Sequence, residues 1–417
     1  MVEPRRIRNI VGNVPEPDEL YGREALVSHV WRQLEGNNIL LLAPRRFGKT
    51  GVMRHILVNP RADYLPLYFD LEDVDSPSEF LWRLTGEILK QATLRDLIRG
   101  VRSLPGQVRD WFQRTFDEIE FEGAKVKFKE AVAADWRTHA RRLMAELEKA
   151  PKTLVFILDE LPAMLERIAG VKGGKDVAAD FLAWFRTVRL VQKDRLRRHR
   201  FLVGGSIGID PIIRRLGVSE TMNDFERVYV EPLTRTDAEA LARDLANGLE
   251  VRWDAAMADR LLELLGPAVP YFIHLFFSQL AQLPARERQG LDAPTLSRVY
   301  RERILGPTCK HYFDYYRRRL KRYRVPLERV AVNVLRTVAE SPHDCASWSQ
   351  LFDIYEKTRK GSASELEFCE LMADLQCDWY LVLDPNTNEY RFMLDVMRQW
   401  WQRWFARPKR PSARGDD

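Results

Sequence analysis

The sequence predicts an α/β fold in which a parallel β-sheet covered by helices is followed by a helical domain and a C-terminal winged-helix domain. Three observations support this prediction. Short apolar strands alternate with amphipathic helices over the first half of the 417 residues. Strand patterns then fade and helical patterns follow one another. Near the end, three helical patterns precede a two-stranded hairpin, which is the element order of a winged helix.

The strands of the predicted sheet are short and apolar, as is typical of parallel strands buried on both faces. They are predicted at Asn38–Ala43, Tyr64–Asp70, Thr153–Leu158, Arg200–Ile207 and Val228–Val230. Helical periodicity separates them at Ala25–Glu35, Thr50–Leu57, Ser76–Ile98, Trp136–Lys149 and Asp176–Leu196. The fourth strand could lie between the first and the third.

The helical domain and the winged helix follow from the remaining patterns. Helices are predicted at Thr236–Asn247, Asp254–Leu265, Pro270–Leu283, Ala293–Arg303, Lys310–Arg322, Val330–Glu340, Trp348–Tyr355 and Ser364–Leu375. Strands Trp379–Asp384 and Glu389–Phe392 flank a turn at 385–388. We therefore expect a sheet domain over 1–235, a helical lid over 236–325, a winged helix over 326–406 and a disordered tail over 407–417.

Composition narrows the class of protein. A chain of this length suits two or three domains. No apolar stretch approaches the roughly 20 residues that a bilayer span requires, and Met1–Pro15 lacks the apolar core of a signal peptide. The cysteines Cys309, Cys345, Cys369 and Cys377 show no metal-ligand spacing, so we expect reduced packing residues. We expect a cytoplasmic protein without a membrane partner.

The strongest motif lies in Ile39–Met53, where ILLLAPRRFGKTGVM follows the P-loop pattern with Ala43 in place of the first glycine. A buried strand precedes it and a helix follows, as the motif requires. Backbone N–H groups at the start of that helix can surround phosphate oxygens. Lys49 is expected to neutralise the β- and γ-phosphates and Thr50 to ligate Mg²⁺. The predicted ATP-binding residues here are Ala43, Pro44, Arg45, Arg46, Phe47, Gly48, Lys49, Thr50 and Gly51.

The second motif is Thr153–Pro162, TLVFILDELP, an apolar strand that ends in two carboxylates. Asp159 is expected to hold Mg²⁺, through water or through Thr50. Glu160 is expected to polarise the attacking water. A strand that simply meets solvent would show the same residues, but a P-loop upstream favours the catalytic interpretation.

The third motif is Phe201–Ile209, FLVGGSIGI, at the end of the fourth strand. A hydroxyl there can sense the γ-phosphate or position water, so Ser206 joins Lys49 and Glu160 as a predicted catalytic residue. An ordinary Gly-Gly-Ser turn is the alternative.

Together these motifs resemble the archaeal-type ATPases, a family in the STAND-like branch of the AAA+ proteins. The resemblance includes Tyr21–Glu24 (YGRE), the Pro-Arg-Arg of the phosphate loop, LDELPAML, GGSIGI and Leu265–Phe272. It implies that Tyr21, Gly22 and Arg23 lie beside the adenine and that Pro270 approaches the base from the helical domain. The spacing from Gly266 to Pro270 departs from the family's Gly-x-Pro. AAA+ motors carry a second-sensor arginine there. None lies near Pro270, which favours a slow, nucleotide-gated switch.

The sequence leaves three questions open: the arginine finger, the ligand of the winged helix and the function of the whole chain. Arg214, Arg215, Arg45 and Arg46 are candidates for an arginine finger, and a solvated arginine pair is the alternative for the first two. The winged helix could bind DNA or a protein partner, and its aromatic residues at helical spacing favour core packing. The function is therefore a nucleotide-gated ATPase, a DNA-handling ATPase, or a partner-binding regulator with a vestigial ATPase, and a homo-oligomer is also open.

Overall fold

The computed structural model describes residues 7–16, 19–94, 132–190, 199–205, 208–323 and 325–406. They form two compact units. The first is the continuous segment Val14–Glu231, which we call the sheet unit. The second, the helical unit, combines the N-terminal residues up to Asn13 with the chain from Pro232 onward. Ser206 and the predicted tail 407–417 lie outside the described residues.

The sheet unit is built on five parallel strands. They are β1 (Asn38–Leu42), β2 (Tyr64–Asp70), β3 (Thr153–Asp159), β4 (Arg200–Gly204) and β5 (Phe225–Tyr229). Their order in the sheet is β2-β3-β4-β1-β5, so β4 lies between β1 and β3, as the sequence predicts. Because parallel strands end at one edge, the residues that follow β1, β3 and β4 are brought together there. The parallel α/β prediction is confirmed.

Helices cover this sheet and bury its apolar strands. In the described part of the unit they are α1 (Glu24–Leu34), α2 (Lys49–Val58), α3 (Pro77–Lys90), α4 (Trp136–Leu147), α5 (Leu161–Ala169), α6 (Gly174–Leu190) and α7 (Asp210–Arg215). A proline near the start of α5, Pro162, suits a helix N-terminus because no intrahelical N–H bond is lost there. Helix α5 begins directly after Glu160 and was not predicted from the sequence.

The fifth strand begins three residues before its predicted start. Phe225 and Val228 are buried in β5, whereas Glu226 and Arg227 between them are exposed. The strand lies at the sheet edge and has one neighbour, β1. An edge strand needs less apolar surface than the central strands and can carry charged residues. Because Glu226 and Arg227 interrupt the apolar pattern, the start of β5 was not recognised in the sequence.

The helical unit consists mainly of packed helices. Its first part contains α8 (Arg235–Gly248), α9 (Ala255–Leu265), α10 (Pro270–Ala281), α11 (Ala285–Gln289), α12 (Ala293–Val299) and α13 (Lys310–Arg319). Short helical turns occupy Tyr300–Ile304, Pro307–Cys309 and Leu320–Tyr323. Among the described residues no single helix is long and apolar enough to cross a membrane. The pair α9–α10 reaches that length and composition only with a 118° bend between its members.

The C-terminal part of this unit has the topology of a winged helix. Its elements are α14 (Leu327–Glu340), β6 (Cys345–Ser347), α15 (Trp348–Arg359), α16 (Glu365–Cys377), β7 (Leu381–Asp384), β8 (Glu389–Phe392) and α17 (Asp395–Phe405). The three strands form an antiparallel sheet in the order β6-β8-β7. Ser347 and Gln350 form a reciprocal capping box that fixes the start of α15.

Side-chain burial confirms part of the packing predicted for this domain. Trp400, Trp401 and Tyr355 are fully buried, so these aromatic side chains belong to the core. One expectation was wrong. Cys369 is exposed on α16 and is not a packing residue, because it lies on the side of the helix opposite Phe368 and Leu371.

Candidate functional site

The phosphate loop connects β1 to α2 at the edge where β1, β3 and β4 end. Arg46 and Gly48 both adopt left-handed backbone conformations, with φ of 76° and 93°. A residue in that region beside right-handed neighbours turns successive N–H groups toward one point, which forms an anion-binding concavity. Ala43, which replaces the usual glycine, is not a positive-φ residue, so its β-carbon causes no strain.

Lys49 begins α2 and is almost completely buried. Its Nζ donates hydrogen bonds to the carbonyl oxygens of Ala43 and Pro44, at 2.7 and 3.0 Å. The ammonium group is therefore held inside the loop that it belongs to. Together with the helix N-terminus behind it, this charge makes the loop strongly attractive to an anion.

Thr50 and Asp159 meet at the same edge of the sheet. The Thr50 hydroxyl donates to Asp159 Oδ2 across 2.8 Å, and the two residues are 109 positions apart in the chain. Asp159 is the last residue of β3 and is buried. Its other oxygen, Oδ1, accepts from the backbone N–H of Glu160 at 3.1 Å. The structure thus brings together two residues that the sequence assigned to Mg²⁺.

Tyr68 is a further member of this group that the sequence analysis missed. Its hydroxyl donates to Asp159 Oδ2 at 3.0 Å. Burial, the negative charge of Asp159 and this hydrogen bond hold the pKa of the Tyr68 phenol far above its ordinary value, so the phenol stays a neutral donor. The only route to this assignment is the pairing of β2 with β3, which nothing in the sequence specifies.

Glu160 lies between β3 and α5 and has a left-handed backbone, with φ of 59°. Backbone strain of this kind in a non-glycine residue costs on the order of 1 kcal/mol and often accompanies function. Directly after the neighbouring strand β4, a β-carbon at Gly205 would lie 2.6 Å from Pro162 Cδ. The glycine is therefore needed where β4 ends close to the start of α5. Ser206, the next residue, is outside the described part of the chain.

Arg23 supports the phosphate loop from behind. Its guanidinium group is buried and donates from Nη1 to the Glu231 carbonyl at 2.7 Å and from Nη2 to the Phe47 carbonyl at 3.1 Å. Gly22 before it has a φ of 59°, a conformation that favours glycine. Tyr21 and Gly22 are half-buried. These bonds give Arg23 a positioning role that the sequence analysis did not anticipate.

Gly51, in the first turn of α2, lies against the segment that precedes α1. A β-carbon at Gly51 would lie 3.2 Å from Leu20 Cδ1 and 3.3 Å from Pro15 Cγ. A larger residue would push this segment away from the phosphate loop. The glycine is thus explained by packing beside the loop.

The candidate arginine fingers lie in different environments. Arg214 and Arg215 are exposed at the end of α7, and Arg215 pairs with Glu166 at 3.0 Å. Arg45 and Arg46 are half-buried within the phosphate loop. Pro270 is the first residue of α10 in the helical unit and is half-buried.

Comparison with known proteins relates this fold to solved structures. No protein-family model matches the chain, and no curated protein matches it. The Walker-type ATPase PABY2304 of Pyrococcus abyssi aligns over 96% of this chain and 99% of its own, with 17% identity and a TM-score of 0.61. The ORC2 protein of Aeropyrum pernix aligns over 96% and 98%, with 12% identity and a TM-score of 0.43. The RuvB branch migration motor of Thermotoga maritima aligns over 95% and 99%, with 10% identity and a TM-score of 0.40.

The first of these likenesses extends over nearly the whole of both chains. The chain therefore has the fold of a Walker-type ATPase, with a parallel sheet in one part and a C-terminal winged helix in the other. At 17% identity the likeness concerns the fold.

Proposed function

We propose that this chain binds ATP with Mg²⁺ and hydrolyses it slowly, as a nucleotide-gated switch of the archaeal-type, STAND-like branch of AAA+ proteins. One observation carries the proposal. The Thr50 hydroxyl lies 2.8 Å from Asp159 Oδ2, directly beside the buried Lys49 at the N-terminus of α2. A P-loop NTPase site needs a cation for phosphate, a hydroxyl for magnesium and an acidic residue at a strand end, and these three are present together.

The phosphate groups would be held by the loop Ala43–Thr50. The left-handed backbone of Arg46 and Gly48 would turn its N–H groups toward the phosphate oxygens. In this proposal the Lys49 ammonium exchanges its acceptors, the carbonyls of Ala43 and Pro44, for oxygens of the β- and γ-phosphates. Arg23 keeps the loop in place through the Phe47 carbonyl. Tyr21 and Gly22 remain the proposed neighbours of the base.

The oxygens of Thr50 and Asp159 fit a magnesium ion. Magnesium prefers octahedral coordination at about 2.0–2.1 Å, which separates adjacent ligands by roughly 2.9 Å. The observed separation of 2.8 Å matches that spacing, and Tyr68 orients the carboxylate by donating to the same oxygen, Oδ2. When bound, Mg²⁺ neutralises charge on the phosphates. Thr50 would ligate it directly, and Asp159 would hold it directly or through water.

Hydrolysis requires a group that orients the attacking water. Glu160 follows Asp159 immediately, and its left-handed backbone directs its side chain differently from that of a residue within β3. We propose that its carboxylate polarises the water, with Ser206 at the end of β4 as the third contributor. One arginine among the candidates Arg45, Arg46, Arg214 and Arg215 would stabilise the developing charge.

Removal of the Lys49 charge tests the binding site. We expect Lys49→Ala to weaken ATP binding at least tenfold, about 1.4 kcal/mol or more, because the buried ammonium is the main cation of the loop. Isothermal titration calorimetry measures this directly. Lys90→Ala, which changes an exposed lysine of α3, is the matched control and should bind ATP like the wild type. If Lys49→Ala binds ATP with unchanged affinity, the site assignment is wrong.

Neutralisation of Glu160 separates binding from hydrolysis. A carboxylate that only orients water contributes to the transition state and leaves ground-state affinity unchanged. We expect Glu160→Gln to bind ATP normally and to release phosphate at least tenfold more slowly. Glu148→Gln, at an exposed position directly after α4, serves as the control. Turnover within about twofold of wild type in Glu160→Gln would show that another group positions the water.

The switch proposal rests on the location of the proposed contacts. The phosphate loop belongs to the sheet unit, and Pro270 belongs to the helical unit. A ligand with contacts to both has a different binding energy when their arrangement changes, so it must bias that arrangement. No second-sensor arginine occurs in Leu265–Phe272, which supports a slow switch over a fast motor.

A further inference from the structure

The winged helix differs in charge from the rest of the chain. Residues 327–406 contain thirteen acidic and eight basic side chains, a net charge of −5, although the whole chain carries +6. A domain that binds duplex DNA must attract a dense row of phosphates and usually carries excess positive charge. This domain therefore has the opposite balance from the one that DNA binding favours.

The imbalance is greatest on the helix that would read DNA. In helix-turn-helix domains the second helix of the pair enters the major groove. Here that helix is α16, which contains four acidic residues and no lysine or arginine. The hairpin turn that forms the wing also lacks basic residues between 381 and 390. Arg359, on the preceding helix, is engaged by Glu367 of α16, with Nε 3.0 Å from Oε2.

The outward side of α16 combines this charge with exposed apolar surface. Leu366 is 71% exposed, the highest value among the exposed large hydrophobic residues of the described part of the chain. Glu365, Cys369 and Glu370 are exposed beside it. At 100° per residue these four side chains lie within about 140° of the helix circumference. We call them, Glu365, Leu366, Cys369 and Glu370, the α16 outer face.

We propose that the α16 outer face docks a basic segment of a partner protein that carries an apolar side chain. Charge complementarity identifies the occupant, because Glu365 and Glu370 form no ion pair with any described basic residue and attract lysine or arginine. Leu366 provides the apolar contact that lies at the centre of a typical helix-in-groove or helix-on-helix interface. The same charges repel a DNA backbone. This inference extends the proposed ATPase by giving the chemistry of its partner, but it does not depend on hydrolysis.

The test uses a charge reversal and a closely matched control in the full-length chain without nucleotide. Glu370→Lys changes the middle of α16, and Glu356→Lys makes the same change on an exposed position of α15. The probe is a fluorescent helical peptide of leucine and lysine, whose binding is followed by anisotropy. We expect Glu370→Lys to weaken peptide binding about tenfold, because it places like charges together, and Glu356→Lys to change it less than twofold.

A second variant tests the apolar contact, and a second probe tests the alternative ligand. Leu366→Ser should weaken the peptide at least threefold without changing the melting temperature, because the side chain is exposed. Equal peptide affinity in wild type, Glu370→Lys and Leu366→Ser would overturn the proposal. So would wild-type binding to a mixed-sequence DNA duplex that Leu366→Ser weakens, because that result assigns the α16 outer face to DNA. ATP binding, measured separately, is expected to be unchanged in all three variants.

Discussion

The candidate site depends on a single carboxylate, that of Asp159. One oxygen accepts from both Thr50 and Tyr68, and the other accepts from the backbone of Glu160. The carboxylate is therefore held by three donors from three parts of the chain. The sequence identified Asp159 and Thr50, because a strand that ends in Asp-Glu and a Gly-Lys-Thr turn are local patterns. It missed Tyr68, because that contact depends on which strand pairs with β3.

The Tyr68 hydrogen bond leads to a prediction about magnesium. We expect Tyr68→Phe to lower the apparent Mg²⁺ affinity of the ATPase about tenfold, because groups that orient a metal ligand typically contribute that much. ATP binding in the presence of a chelator should be unchanged. A magnesium titration of phosphate release measures the effect. Tyr64→Phe on the same strand is the control, since Tyr64 packs against Trp31. An unchanged magnesium midpoint in Tyr68→Phe would contradict the prediction.

Arg23 shows a second limit of sequence reasoning. A family resemblance placed it beside the base, and the structure shows its guanidinium donating to the Phe47 and Glu231 carbonyls. These partners are 24 and 208 residues away. Backbone carbonyls have no sequence signature, so no pattern could have identified them. Contact between Arg23 and the base stays a separate proposal.

The strands of the sheet are joined by a buried histidine where β3 and β4 begin. His199 precedes β4 and is buried, and its Nδ1 accepts from the Leu154 N–H of β3 at 3.3 Å. Burial lowers the pKa of His199 to about 4. The histidine is therefore neutral in the fold and takes up a proton more readily when the chain unfolds. This contact should make the sheet unit sensitive to acid.

The expected direction follows from proton linkage. The pKa of His199 is lower in the folded chain than in the unfolded chain. Its contribution to the free energy of unfolding is therefore complete above the unfolded pKa of about 6.5 and is lost as the pH falls toward 4. Between pH 7 and pH 5 the wild type should lose about 2 kcal/mol of unfolding free energy that His199→Asn retains. Urea unfolding at both pH values measures the difference. His343→Asn, at an exposed position, is the control. Parallel losses in wild type and His199→Asn would rule out this role.

The element boundaries show where patterning succeeds and where it fails. Central strands such as β1 and β3 were predicted because their interiors are continuous apolar runs, as burial on both faces requires. The predicted start of the edge strand β5 lies too far along the chain, because Glu226 and Arg227 interrupt its apolar pattern. Helix α5 was missed because it begins directly after a strand, with Pro162 in its first turn.

For the whole chain, the switch proposal predicts how ATP changes hydrogen exchange. Differential contacts between sites typically provide on the order of 1–3 kcal/mol of coupling. We expect ATP to protect amides in Pro270–Leu283 of the helical unit as well as in the phosphate loop. Hydrogen exchange followed by mass spectrometry resolves both regions, and Lys49→Ala with ATP is the control. Protection confined to Tyr21–Arg23, Ala43–Thr50 and Asp159–Glu160 would refute the switch and leave a simple nucleotide-binding domain.

The division of the chain into units has a consequence for synthesis. The N-terminal residues belong to the helical unit, where the Ile10 N–H donates to His274 Nδ1 at 3.4 Å. The sheet unit is one continuous segment and can fold as soon as Glu231 has left the ribosome. The helical unit cannot close on its first residues until His274 has been translated. The residues around Ile10 are therefore synthesised before the sheet unit, but they reach their partner His274 only after the whole sheet unit has been translated.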